Sequence, residues 1–241
     1  MLYSSNIKEM NIRATDGDIG KIKDIYFNDN WNVRFTVVDT RKWLPGRKVL
    51  LPLHIFHPIN YESEYVEVDY DKDQIRNSPP VPEDEHFTPD DQGNVLDYFG
   101  WNMYKDNAVS TGGHSPLVTF DHPDVEQKNV PEEPHLNRNE LLSNDTLRSE
   151  EETLDFKVHA KDGKIGNIVD FICDENNNWK ITYIVVQNSE NMTENEFYIY
   201  RTEQIQTVDW FERDLYINDS VKGLKGTTPF TDKNQILSKL S

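Results

Sequence analysis

Apolar and polar positions alternate with a period of two over most of the chain. Met10, Ile12 and Ala14 alternate with Asn11 and Arg13, the pattern of a half-buried strand, and the run stops at the turn dipeptide Asp16-Gly17. A second strand starts at Ile19 and then slips phase. Ile22 points inward between Lys21 and Lys23, and Ile25 and Phe27 resume the inner face after one extra residue, as a β-bulge requires. Past Asn28-Asp29-Asn30, Val33, Phe35 and Val37 form one face with Arg34 and Thr36 on the other, which completes a hairpin. Residues 48–53 read as a short apolar strand that Pro52 places at an edge or a strand end. Residues 65–68 give a last strand, and residues 71–76 a helical turn stopped by Ser78-Pro79-Pro80.

The same succession returns. Gly17, Ile19, Gly20, Ile22 and Asp24 recur as Gly163, Ile165, Gly166, Ile168 and Asp170 at an offset of 146. Trp31, Val37 and Val38 recur as Trp179, Val185 and Val186 at 148, and Val66, Val68, Ile75 and Pro80 as Leu215, Ile217, Leu224 and Pro229 at 149. The phase slip repeats at Ile168, Phe171 and Cys173. An internal duplication of this length predicts an all-β chain of two tandem small antiparallel barrels, residues 1–80 and 148–241, packed with approximate two-fold symmetry. The repeated bulge supplies the curvature a small sheet needs to close on itself. The glycines at 17, 20, 163 and 166 mark the repeated structural motif. Asp24 and Asp170, just past the bulges, are expected to accept hydrogen bonds from backbone N–H groups that the bulges release.

Between the repeats the composition changes. Residues 81–152 hold 17 Asp and Glu against 4 Lys and Arg, a net of −13 out of −18 for the whole chain, together with half of its 12 prolines. Residues 81–147 therefore read as an acidic, Pro-rich connecting segment. Residues 94–105 are the exception, because Val95, Tyr98, Phe99, Trp101, Met103 and Tyr104 make an apolar patch that must dock on its own barrels, a partner or a second copy of the chain. Charge also narrows the partners. A net of −18 argues against nucleic acid and anionic lipid, both of which are held mainly by Lys and Arg. No run approaches the ~18 apolar residues of a bilayer span, and no basic stretch followed by an apolar one marks a secretory signal. With one cysteine, Cys173, a cytoplasmic protein without direct membrane insertion is expected.

Catalytic and metal chemistry find little support. Asp174-x-Asn176-x-Asn178 begins like a calcium loop, but Trp179 stands where the glycine belongs and Val185 where the closing glutamate belongs. Cys173 takes the place of Phe27 in the repeat and reads as a core residue. The seven histidines lie outside any zinc-binding spacing. No nucleophile, base and orienting group can be assembled, so neither an enzyme nor a bound cofactor or metal is expected.

The DGDIGKIKD, WNVRFTVVDTRKWLPGRKVLLP and DGKIGNIVDF segments resemble the PRC-barrel family, which includes the cytoplasmic domain of the photosynthetic reaction-centre H subunit. The resemblance covers both repeats and implies a docking or scaffold protein on a larger assembly, with no shared catalytic set. An accessory of a membrane electron-transfer complex is a narrower form of that reading; a small-ligand or cation-binding protein with a site between the barrels is the alternative. The candidate partner contact is the basic loop with Arg41, Lys42, Trp43 and Arg47, which the second repeat replaces with NSENMTEN, joined by Tyr98, Phe99, Trp101 and Tyr104. The partner is an unidentified protein, and a homodimer is compatible with the pattern.

Overall fold

The computed structural model describes residues 1–41, 43–44, 47–59, 65–82, 86–108, 146–177, 179–188, 196–221 and 229–240, with the backbone path alone for 101–108. In chain order come β1 (Leu2–Tyr3), α1 (Ser4–Glu9), β2 (Asn11–Ala14), β3 (Gly17–Phe27), β4 (Val33–Asp39), β5 (Lys48–Pro52), β6 (Tyr65–Glu67), α2 (Lys72–Arg76) and α3 (Pro89–Ala108). The second repeat supplies β7 (Arg148–Ser149), α4 (Glu150–Thr153), β8 (Lys157–Ala160), β9 (Gly163–Asp174), β10 (Lys180–Asn188), β11 (Phe197–Arg201), β12 (Ile205–Asp209), β13 (Asp214–Ile217) and α5 (Lys233–Leu240).

Two sheets of matching order result, β5-β4-β3-β2-β6 and β11-β10-β9-β8-β13-β12. The bulges fall where the side-chain phase slips. Pairing of β3 with β4 shifts register between Ile22 and Asp24, and pairing of β9 with β10 shifts at the equivalent step, between Val185 and Val186. The strands are not all antiparallel as expected: β2 pairs with β6, and β8 with β13, in parallel. A 3-10 corner at Leu53–Ile55 turns the chain after β5 so that Phe56 bridges Val68 beyond the end of β6. The first sheet therefore curls toward closure through a corner and an isolated bridge rather than a continuous ladder. In the second module the corner at Thr202–Gln204 leads into β12, which pairs with β13 along its length apart from one register shift between Ile205 and Thr207.

Gly20 and Gly166 explain why the repeat keeps glycine there. A Cβ on Gly20 would lie 2.0 Å from the carbonyl oxygen of Asp39, and one on Gly166 would lie 1.8 Å from that of Gln187. Gly20 in addition has φ +151°. The neighbouring strand crosses so closely that no side chain fits.

The modules do not simply abut; they exchange their first strands. β1 pairs with β9 of the second module, matching Leu2 with Cys173 and Tyr3 with Ile172. β7 pairs with β3 of the first module, matching Ser149 with Tyr26 and Arg148 with Phe27. The two β-hairpin turns also meet. Ile181 donates its N–H to the Trp31 carbonyl at 2.8 Å and Val33 donates to that of Trp179 at 3.4 Å, with both tryptophans in left-handed backbone conformation. Phe27, Trp31 and Phe171 pack ring against ring beneath them, and one apolar core runs from Ile12 and Phe35 through this contact to Val158 and Ile181.

Helices cover the remaining faces. α3 replaces part of the expected connecting segment and seats Val95 and Phe99, one turn apart, on the first module, while Phe87 meets Tyr26 edge-on at 4.8 Å. α5 seats Ile236 on a second apolar cluster made by Tyr3, Ile172, Tyr183, Val185 and Phe197.

Because the neighbour at each glycine is backbone that cannot swing away, Gly20→Ala and Gly166→Ala are each expected to destabilise the protein by about 3 kcal/mol. By urea denaturation, a loss below about 1 kcal/mol at both sites would show that the strand crossing is looser than described.

Candidate functional site

The basic loop of the first module is a folded turn. Trp43 and Leu44 donate their N–H groups to the Thr40 carbonyl at 3.0 and 2.9 Å, and the Thr40 hydroxyl donates to the Arg47 carbonyl. The Trp43 indole N–H donates to the Ile19 carbonyl, which lays the half-buried ring on its own sheet. Lys72 and Arg76, one turn apart on the same face of α2, hold their charges 5.9 and 5.6 Å from that ring. Arg47 donates to the carbonyls of Arg76 and Ser78 and so ties the loop to the end of α2. Arg41 is the most exposed, at 78%, and forks onto Asp39, whose carboxyl it holds below the usual range. Its contribution to stability is small, as for exposed pairs generally.

α2 is anchored from below. Asp71 caps it by accepting the Gln74 N–H, and Asp16 of the Asp-Gly turn accepts the Lys72 N–H at 2.9 Å. Gly17 leaves room for Lys72, whose ammonium would lie 3.0 Å from a Cβ there. The second module repeats the anchor, since Asp162 accepts the Val221 N–H, but with valine in place of Lys72. The cationic face therefore belongs to the first module alone among the described residues.

The structure brings Trp43 and Arg47 against α2, whereas Arg41 is turned onto Asp39; Lys42 lies outside the described residues. Of the occupants expected for the aromatic patch, its described rings take the chain's own first module. Phe99 is fully buried between Tyr70 and Tyr98, each 5.1 Å away by ring centroid, and the Tyr98 hydroxyl donates to the Gln74 carbonyl at 2.6 Å. Those rings are committed to their own module because Val95 and Phe99 share the helix face turned to it. Trp101 and Tyr104 lie in α3, with side chains outside the described set. Lys72 and Arg76 were the residues missed by sequence reading, although their i, i+4 spacing was visible.

The repeated aspartates do more than satisfy their own bulges. Asp24 accepts the N–H of Ile25 at 2.8 Å, and Asp170 that of Phe171 at 2.9 Å. Each also reaches across the seam. Asp24 accepts the Ser149 hydroxyl at 2.6 Å and the Glu151 N–H at 3.1 Å; Asp170 accepts the Ser5 N–H at 3.2 Å and the Ser5 hydroxyl at 2.6 Å. Ser5 and Glu151 lie in the first turns of α1 and α4, so each carboxylate caps the arm helix of the other module. α1 has no side-chain cap of its own.

Cations complete the seam unequally. Lys233 of α5 pairs with Asp170 at 2.9 Å, and Lys8 pairs with the buried Glu150. Ser4 Oγ sits 2.7 Å from Glu150 Oε1 and 2.8 Å from Asp170 Oδ1, its one hydrogen serving one of them at a time. Burial pushes the Asp24 carboxyl above its ordinary range, reinforced by the charge of Glu150 and opposed by its hydrogen bonds.

Cys173 is buried in the core, where burial raises its thiol, and it pairs with Leu2 rather than facing a substrate. No group of three or more His, Cys, Asp or Glu able to hold a metal occurs among the described residues. Within the same residues, no helix is long and apolar enough to cross a membrane.

Residues 1–75 match the family model described as PRC-barrel domain. No curated protein matches the chain.

Two outcomes follow from the buried aspartates. Asp170→Ala is expected to cost about 3 kcal/mol, as when one partner of a buried network is deleted, and to speed amide exchange at Ser5. Unchanged protection at Ser5 would remove the capping role. For Asp24 the folded carboxyl titrates above the unfolded one, so its ionised form is a burden at neutral pH that protonation relieves first in the folded state. Relative to Asp24→Asn, the wild type should therefore gain stability as pH falls from about 7 toward the unfolded carboxyl value of about 3.9. Paired urea titrations check this; a difference that is flat or moves the other way contradicts it.

Proposed function

Through residues 1–75 the first module belongs to the PRC-barrel family, and on that premise we propose that the protein is a non-enzymatic docking module for another protein. The contact surface in this reading is the face formed by Arg41, Trp43, Lys72 and Arg76. The second module is read as a further barrel of the same kind, joined to the first by duplication. The cytoplasm is its proposed location.

The observation that carries the reading is the pair of cations held beside the Trp43 ring. Residues 1–80 hold 11 Lys and Arg against 12 Asp and Glu, whereas the chain as a whole stands at −18, so this module is close to neutral in a strongly acidic chain. Arg and Trp are the residue types that most often carry interface energy. An ammonium and a guanidinium beside a half-buried indole offer a partner both charge and a flat apolar surface. The complementary partner presents an acidic surface, and the rest of this chain's acidity keeps non-specific anions away. PRC-barrel modules are frequently found in protein-interaction roles, which agrees with this reading.

Arg41→Glu combined with Lys72→Glu tests it without removing Trp43, whose indole supports the sheet. Pull-downs from native lysate with wild type and variant, compared by quantitative mass spectrometry, should show at least a ~10-fold loss of the retained partner, corresponding to about 1.4 kcal/mol. The retained complex should also weaken as salt rises. Identical recovery by a folded variant would exclude this face.

A further inference from the structure

The seam between the modules is reciprocal. Leu2 and Tyr3 lie on Cys173 and Ile172 of the second module, as Arg148 and Ser149 lie on Phe27 and Tyr26 of the first. Asp170 caps α1 as Asp24 caps α4, and the hairpin turns bond to one another in both directions through Trp31 and Trp179. The offset of 146 relates Tyr26 to Ile172 and Asp24 to Asp170, so one arrangement is used twice. None of these contacts is covalent. The chain joins the modules elsewhere, through residues 109–145.

A seam of this kind recognises a module, not a chain. Every hydrogen bond the first module makes across it can be made to the second module of another copy at no loss. An opened chain, in contrast, is poorly satisfied. It leaves Asp24 and Asp170 without their partners from the other arm, uncovers Phe27 and Phe171, and exposes strand edges on β3 and β9. Opened chains therefore have strong reason to close on whatever matching module is nearest.

We propose that two copies of this chain associate by exchanging modules across the seam, the first module of each closing on the second module of the other. The contacts are the same in monomer and exchanged dimer, so the balance is set by concentration. Linkage favours closure within one chain until the chain concentration nears the effective concentration of the tethered module. The inference rests on the seam and is independent of the docking face around Trp43.

Leu2→Cys in the full chain provides the test. Positions 2 and 173 are antiparallel partners buried in one core, and such partners have Cα atoms about 4.5–5.5 Å apart, within disulfide range. The variant is unfolded and refolded under oxidising conditions at about 1 µM and at about 0.5 mM, the latter approaching the millimolar scale of tethered modules. Non-reducing electrophoresis and peptide mapping then locate the link. The expected result is a link between position 2 and Cys173 within one chain of 28.2 kDa at low concentration. At high concentration the same link should join two chains, with at least a ~10-fold rise in covalent dimer. Wild type, with Cys173 alone, should give no such dimer. A link that stays within the monomer at both concentrations overturns the exchange, and absence of the link at both overturns the seam register beneath it. Light scattering on refolded wild type is the check should the variant not fold; monomer at both concentrations overturns the proposal equally.

Discussion

A carboxylate buried just past a β-bulge and turned toward the first helical turn of the other module's arm is the contact on which the rest of this structure depends. The bulge is needed to aim it, since without the extra residue the side chain would fall on the other face of the strand. Once aimed inward, the carboxylate is desolvated, and a buried charge without partners costs several kcal/mol, comparable with the whole margin of about 5–15 kcal/mol that keeps a domain folded. One of the donors that satisfy it lies in its own bulge, and most of the others lie in the other module. A solitary module of this type would therefore carry an unmet charge at its centre. Strand exchange, the meeting of the two Trp turns and the continuous core all follow from supplying those missing donors.

The two halves keep one backbone plan and differ in what decorates it. At the seam, Asp170 gains an ammonium from Lys233 while Asp24 relies on a hydroxyl and amides. The outer faces diverge further. α3 and Phe87 cover the first sheet, α5 covers the second, and Val221 stands where the first module has Lys72. The shared residues carry the fold, and the rims differ.

Much of this was legible in the order of residues. A phase slip in the alternation located both bulges, because side-chain direction is the one thing a bulge changes. The glycines at 20 and 166 marked a shared motif by returning in the same place, while the close strand crossing behind it is visible only in the fold. The exchange of arms was not legible: Tyr3 and Ser4 correspond to Ser149 and Glu150, with little in common, and the decisive donors are main-chain amides that every residue possesses. Parallel pairing of β2 with β6 also escaped notice, since the period of two is identical for both directions. α3 was masked by prolines and acidic residues on either side, although Val95 and Phe99 at i, i+4 carried the signal. Lys72 and Arg76 show why the surroundings of Trp43 were legible only in part. Their spacing is plain, but that they stand over Trp43 is decided by a loop fold that no local pattern contains.

The exchanged strands have a consequence for how the protein is made. As the chain is synthesised, the edge of β3 at Tyr26 and Phe27 lacks its strand partner until Arg148 and Ser149 have emerged, more than 120 residues later. The beginning of the chain waits longer still, because Leu2 and Tyr3 have no sheet to join before Ile172 and Cys173 exist. The first module's sheet therefore stays incomplete until the second module's arm has emerged, and the earliest residues of the chain are among the last to find their places.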